Sequence, residues 1–326
     1  MKIVIPNDYQ DMVDKLECFD LIRHHEVVRY REPAASFDEL VKRLADADVV
    51  VAVRERVEFS RALLERLPKL RLLALVGRNA TTIDFAAATA LGIPVSHGKS
   101  NSAAAPAELT IALMVAARRN IALEAERMKR GDWPCSLSHR LRGSTLGVFG
   151  LGAIGSLVAE AGRGMGMRVL ALGRDKTAAA AHAAGYDVAA SKAELFVTAD
   201  VLSLHVRLTP ETRGIVGADD LALMKPTALI INTSRAELIQ PGALLAALEA
   251  GRPGYAAVDV YEEEPIVDGD HPFLTMPNVL CTPHLGWAEW DNFELYFAEC
   301  FEQIVAFEQG RPMRLINPDV KPRSLP

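Results

Sequence analysis

Short apolar runs alternate with amphipathic ones along the first hundred residues. Residues 2–5, 27–30, 49–53, 70–76 and 94–97 are rich in Val, Ile and Leu and have the length of buried strands. Between them, residues 11–21, 37–45, 60–67 and 83–91 carry helix patterns. Alternation of this kind predicts a parallel sheet with helices on both faces. A long amphipathic helix over 107–118 follows, then a polar, turn-rich stretch over 130–142. The alternation then restarts. Strands are expected at 146–151, 168–172, 201–205, 228–233, 256–261 and 279–282, with helices at 153–165, 178–184, 241–250 and shorter pieces between. The last helical run, 290–309, sets Phe293, Phe297, Phe301 and Ile304 on one face. Lying beyond the last strand of the second sheet, it is expected to cross back and pack on the first.

The strand over 146–151 breaks into Gly150, Gly152 and Gly155, which fit G-x-G-x-x-G with strand before and helix after. Gly150 allows the tight turn, Gly152 lets backbone approach a pyrophosphate, and Gly155 lets the helix sit close to the strand. Ala153 and Ile154 open that helix, whose free N–H groups and dipole favour a phosphate. The motif implies a bound dinucleotide. The expected fold is therefore α/β, with two doubly wound parallel-sheet domains, one Rossmann-type and one flavodoxin-like. The expected boundaries are 1–100 with 289–326 for one domain and 101–288 for the other.

Composition narrows the function classes. The chain has 326 residues, half of them hydrophobic, enough for two cores. A net charge of −6 with no basic cluster argues against nucleic acid. No apolar stretch reaches the roughly 18 residues of a membrane span, and the N-terminus reads as a strand, not a secretory signal. Cys18, Cys135, Cys281 and Cys300 are scattered without metal or disulfide spacing. That fits a reducing compartment, so a cytoplasmic location is expected and no metal is.

Ligands of open parallel sheets lie beyond the carboxyl ends of the strands. There the second domain carries Thr233-Ser234-Arg235, then Asp259 with Glu262, Glu263 and Glu264, then Pro283-His284. Each alone has a bland reading as surface charge, solvated loop or stray histidine. Together, an arginine, a carboxylate and a histidine leave the sheet on the edge of the glycine turn. These blocks, Gly147–Gly155, Leu223–Arg235, Val258–Pro265 and Asn278–Gly286, resemble the D-isomer-specific 2-hydroxyacid dehydrogenases over nearly the whole chain. The resemblance implies a catalytic set at Arg235, Glu264 and His284, with Asp259 holding the nicotinamide carboxamide and Thr233 beside the cofactor. It implies a cofactor domain at 101–288 and a substrate domain from the rest. In that domain Gly77, Arg78 and Asn79 would meet the substrate carboxylate. Trp287 would shape the pocket, and domain closure would exclude water.

The chemistry suits these residue types. Protonated His284 can give a proton to a developing alkoxide and, neutral, take one back. Glu264 would orient its ring, and Arg235 offers a planar fork to a carboxylate. The implied activity is hydride transfer between NAD(P)(H) and a 2-keto/2-hydroxy acid pair, in the manner of a glyoxylate or hydroxypyruvate reductase. The alternative is a dinucleotide-sensing protein-interaction module of the corepressor type. The sequence departs from the family at Ala236 and Asn79, where glycine is usual. It ends shortly after the last helix, so no regulatory domain is expected, and a homodimer is. The second strand of the cofactor domain ends in Gly173-Arg174-Asp175. An enzyme selecting NAD normally has Asp or Glu there to hold the ribose. Gly173 removes that charge and Arg174 can bind a 2′-phosphate, which favours NADP(H). The other reading has Arg174 stack on the adenine while Asp175 serves the ribose of NAD.

Overall fold

The computed structural model describes residues 1–78, 81–133, 136–266 and 269–322. Asn79 and Cys135 lie outside the described residues. The chain divides into two compact units, Met1–Ser102 with Glu289–Pro326, and Ala103–Ala288.

The first unit holds β1 (Lys2–Ile5), β2 (Glu26–Arg29), β3 (Val49–Val53), β4 (Leu72–Val76) and β5 (Val95–Ser96). All pair in parallel, in the order β2-β1-β3-β4-β5. This is the flavodoxin-like order. Every residue of β3 and β4 is buried, because elements pack on both faces and leave no polar side to the sheet. Helix Trp290–Glu308 packs against β4, and Phe293, Phe297, Phe301 and Ile304 are buried.

One expected helix is absent. Over 11–21 the chain forms two 3₁₀ turns, Val13–Lys15 and Glu17–Leu21. Side-chain acceptors from elsewhere in the unit capture the N–H groups a helix would use. The Asp8 carboxylate takes those of Met12 and Val13 at 3.1 and 3.3 Å, and Glu294 takes those of Glu17 and Cys18 at 2.9 and 2.6 Å.

The second unit holds β6 (Thr145–Phe149), β7 (Arg168–Leu172), β8 (Asp187–Val188), β9 (Val201–Leu204), β10 (Leu229–Asn232), β11 (Tyr255–Val258) and β12 (Val279–Cys281). The all-parallel order is β12-β11-β10-β9-β6-β7-β8. Six of these seven strands follow the dinucleotide-binding order, with the reversal between β6 and β9. Successive strand residues feed two cores. Leu202, Leu204, Ile230 and Val258 face one, and Val201, Leu229, Ile231 and Ala257 face the other. Two elements carry too little pattern to read from sequence. The strand β8 is two residues long, and helix Ile121–Lys129 begins after Asn120, whose left-handed backbone (φ +55°) ends helix Ala104–Arg118.

Candidate active site

The turn after β6 has the form its glycines demand. Gly150 has φ +101°, and a Cβ on it would lie 2.7 Å from the His205 carbonyl oxygen. A Cβ on Gly155 would lie 2.1 Å from the Gly150 carbonyl oxygen. Around Gly152 nothing lies within 4 Å of the Cβ position. Gly152 caps helix Ala153–Gly164, and Ala153 and Ile154 form its first turn. The result is an open concavity at a helix N-terminus, at the reversal of strand order. It fits a pyrophosphate in shape and in dipole.

Beyond β7, Gly173 and Arg174 are exposed, and Asp175 is the first residue of helix Asp175–Ala184. A Cβ on Gly173 would meet Thr177 Oγ1 at 2.3 Å, so the helix leaves no room for a side chain there. The Arg174 charge reaches Glu211. After Thr209 and the Glu211 backbone, it helps hold that exposed carboxyl below its ordinary value. Arg207, which the sequence reading passed over, follows β9 as Arg174 follows β7, so the two cations flank the β6 turn in strand order.

At the ends of β10, β11 and β12 the sequence-predicted residues come together. The turn after β10 is set by Asn232, 2% exposed, which donates to the Arg235 carbonyl at 2.8 Å and accepts from Ser234 N–H at 3.1 Å. Thr233 shares a hydrogen bond of 2.7 Å with Thr110 of helix Ala104–Arg118. Arg235 caps the short helix Ala236–Leu238, and its NH1 donates to the Ser234 carbonyl. Glu264 accepts the Tyr261 N–H at 2.9 Å on Oε1 and lies 2.6 Å from His284 Nδ1 through Oε2. Burial acts to raise the Glu264 pKa. The bond and charge of His284, the Tyr261 N–H and the charge of Arg235 outweigh it and hold the carboxyl below its ordinary value.

The loop that carries His284 is tied down by Asp259, which is fully buried. Its carboxylate accepts from Thr282 Oγ1 at 2.6 Å, Leu285 N–H at 2.7 Å and Gly286 N–H at 2.8 Å. Burial, its largest influence, raises the Asp259 pKa despite these donors. The clamp holds His284 in a left-handed conformation (φ +50°), uncommon for a residue with a side chain. With Nδ1 committed to Glu264, Nε2 is the nitrogen available to a substrate. The Tyr261 hydroxyl adds a bond of 3.0 Å to the Thr282 carbonyl. Trp287, expected to shape the pocket, is buried at 6% exposure. Gly77 (φ +93°) and the exposed Arg78 follow β4 in the first unit.

The sequence reading missed Asn232, Tyr261 and Thr282. Each lies within three residues of a candidate it positions, which is the signal that could have found it. It also missed His205, whose backbone lies against the glycine turn. The Nε2 of its ring is 2.8 Å from Ser203 Oγ, and its Nδ1 is buried without a partner.

Residues 111–286 match the model of the "D-isomer specific 2-hydroxyacid dehydrogenase, NAD binding domain" family. The chain is 35% identical over 304 residues to the glyoxylate reductase of Aeropyrum pernix, covering 90% of this chain and 89% of that one. It is 40% identical over 251 residues to the D-3-phosphoglycerate dehydrogenase of Methanocaldococcus jannaschii, covering 76% of this chain. That match spans only 47%, about half, of the archaeal protein's length. Among solved structures, an oxidoreductase of Ralstonia solanacearum superposes with a TM-score of 0.95 at 44% identity, covering 99% of each chain.

Proposed function

The chain belongs to the D-isomer-specific 2-hydroxyacid dehydrogenases, NAD(P)-dependent oxidoreductases acting on CH–OH groups, and from that premise we propose that it works mainly as a reductase of small, polar 2-keto acids. The observation that carries the reading is the Glu264–His284 pair at 2.6 Å, with Arg235 in electrostatic reach of Glu264. It lies at the carboxyl edge of the same sheet that carries the glycine turn. The relatives named above are enzymes, and nothing favours the corepressor reading.

When bound, the nicotinamide supplies or accepts the hydride at the substrate C2. The protein's own residues do the rest. His284 gives a proton from Nε2 to the keto oxygen as it becomes an alkoxide, and takes it back in the oxidation. Glu264 fixes the ring and stabilises the imidazolium. Arg235 presents its fork to the substrate carboxylate and polarises the carbonyl. Asp259 holds the His284 loop; fully buried and with three of its four lone pairs taken, it keeps one, on Oδ2, for the carboxamide that the family resemblance assigns to it.

NADP(H) is the proposed cofactor form. Gly173 brings no acid to the ribose, and Arg174 supplies a cation at the same strand end. A homodimer is proposed through the second unit. Its support is a run of exposed apolar side chains: Ile121, Met128, Trp133 at 79% and Leu137 at 94% exposure. A cytoplasmic location belongs to the same proposal. Among the described residues, no helix is long and apolar enough to cross a membrane.

The deciding experiment is a panel of glyoxylate, hydroxypyruvate, pyruvate and bulkier 2-keto acids, read as loss of nicotinamide absorbance with NADPH and NADH. Turnover is expected with glyoxylate or hydroxypyruvate. Turnover confined to bulky keto acids, or absent from the panel, overturns the proposal.

A further inference from the structure

Far from the glycine turn in sequence, the first unit brings together three groups that the reaction does not use. His24 and His25 occupy the turn before β2, and Glu308 ends helix Trp290–Glu308. His24 Nε2 lies 3.6 Å from Glu308 Oε2, and His25 Nε2 lies 3.5 Å from the same oxygen. The ligand-capable atoms of all three fall within 4.8 Å of one another. The two rings are side by side, with centroids 3.9 Å apart.

Two features set this cluster apart from an ordinary surface ion pair. First, the His25 side chain is only 4% exposed, and its Nε2 is buried with no hydrogen-bond partner while pointing at the other two groups. A buried polar atom left unsatisfied is costly and calls for an explanation. Its Nδ1 lies 3.4 Å from the Met1 ammonium, a donor, so Nδ1 accepts and Nε2 carries the ring proton until a cation displaces it, with one proton lost from the ring and amine together. Second, the two nitrogen-to-carboxylate spacings approach those of a coordination sphere. Ligands about 2.0–2.1 Å from a tetrahedral zinc ion lie about 3.3–3.4 Å apart. The two N···O distances are within a few tenths of an ångström of that edge. A bound cation would satisfy the orphaned nitrogen and relieve the crowding of two imidazoles on one carboxylate.

We propose that His24, His25 and Glu308 form a binding site for a borderline divalent cation of the zinc class, with solvent completing the coordination. Two imidazoles and one carboxylate are a donor set such ions accept, whereas Mg²⁺ and Ca²⁺ prefer all-oxygen sites. The site pins the turn before β2 to the end of the last helix of the unit, so its role is to brace the fold. It contains none of the residues assigned to hydride transfer.

The test is a zinc titration of the untagged full chain by calorimetry, repeated on His24→Ala and Glu308→Gln. Both positions are well exposed, at 58% and 41% of the side chain, so both variants fold. The wild type is expected to bind one zinc ion that each variant loses, with dehydrogenase activity kept in both. X-ray absorption of the zinc-loaded wild type is expected to report histidine scattering that falls in His24→Ala. Equal zinc binding in wild type and variants, or none in the wild type at micromolar zinc, overturns the assignment.

Discussion

Alanine at Gly155 and alanine at Gly152 should leave opposite signatures, although the two glycines belong to one motif. At Gly155 the new methyl would sit 2.1 Å from the Gly150 carbonyl oxygen and 3.3 Å from His205 Cβ. The first obstacle is backbone and cannot rotate away. Non-bonded atoms rest at roughly 3.5–4.0 Å, so the helix must retreat from the strand by about 1 Å or more. Overpacking of this kind costs about 1–3 kcal/mol, and a backbone clash belongs at the upper end. For a unit of this size each kcal/mol moves Tm by about 2–4 °C, so Gly155→Ala should lower the transition of the second unit by about 6–12 °C. Gly152 has φ −84° and ψ −162°, which any residue adopts, and open space around its Cβ position. Its alanine variant should stay within about 0.5 kcal/mol of wild-type stability. The methyl would instead fill the concavity offered to the pyrophosphate. Dinucleotide affinity should fall at least tenfold, or about 1.4 kcal/mol. Calorimetric scans give the first quantity, and titration of nicotinamide fluorescence gives the second. Wild-type affinity in Gly152→Ala would refute the reading of the concavity. An unshifted transition in Gly155→Ala would refute the packing argument.

Three further outcomes follow from the geometry. His284→Ala should keep dinucleotide binding and lose about 10²–10⁴ in turnover, and near-normal steady-state rates would remove His284 from the chemistry. Gly173→Asp alone should be poorly tolerated because Thr177 occupies the space. Gly173→Asp with Thr177→Ala should shift kcat/KM from NADPH toward NADH, as Arg174→Ala should by itself; a wild-type preference for NADH that Arg174→Ala leaves untouched would show the strand end to be misread. Burial lowers the His205 pKa to about 4, so the folded state resists its protonation. The unfolded chain therefore binds the extra proton between about pH 6.5 and 4, and stability is full above that window and falls as pH drops through it. The loss is on the order of 3 kcal/mol, and urea unfolding of His205→Gln should be flatter over the same range.

Local pattern was enough for the parts of this protein whose structure answers to neighbouring residues. Runs such as Val-Val-Val-Ala-Val at 49–53 have one comfortable place, the middle of a sheet covered on both faces. The glycine turn was legible because a tight reversal and a close helix each demand a missing Cβ at a set spacing. The residues that end β10, β11 and β12 were legible as a group because parallel strands deliver their ends to one edge. Where distant groups compete for the same backbone or space, the chain alone was silent. A helical pattern over 11–21 gave way to 3₁₀ turns because Asp8 and Glu294 arrive to take its N–H groups. Asp259 was visible as a strand-end acid, but its clamp on Leu285 and Gly286, and so the left-handed His284, exists only once β11 lies beside β12. Thr177 closing the space over Gly173, and His24 and His25 meeting Glu308, are likewise products of packing. The sequence by itself determined the longer strands, most of the helices and which chemistry leaves the sheet edge, since those depend on spacing along the chain. The tertiary structure decided which side chain holds which, since a hydrogen bond needs its partner within about 3 Å and only the assembled sheets bring such pairs together.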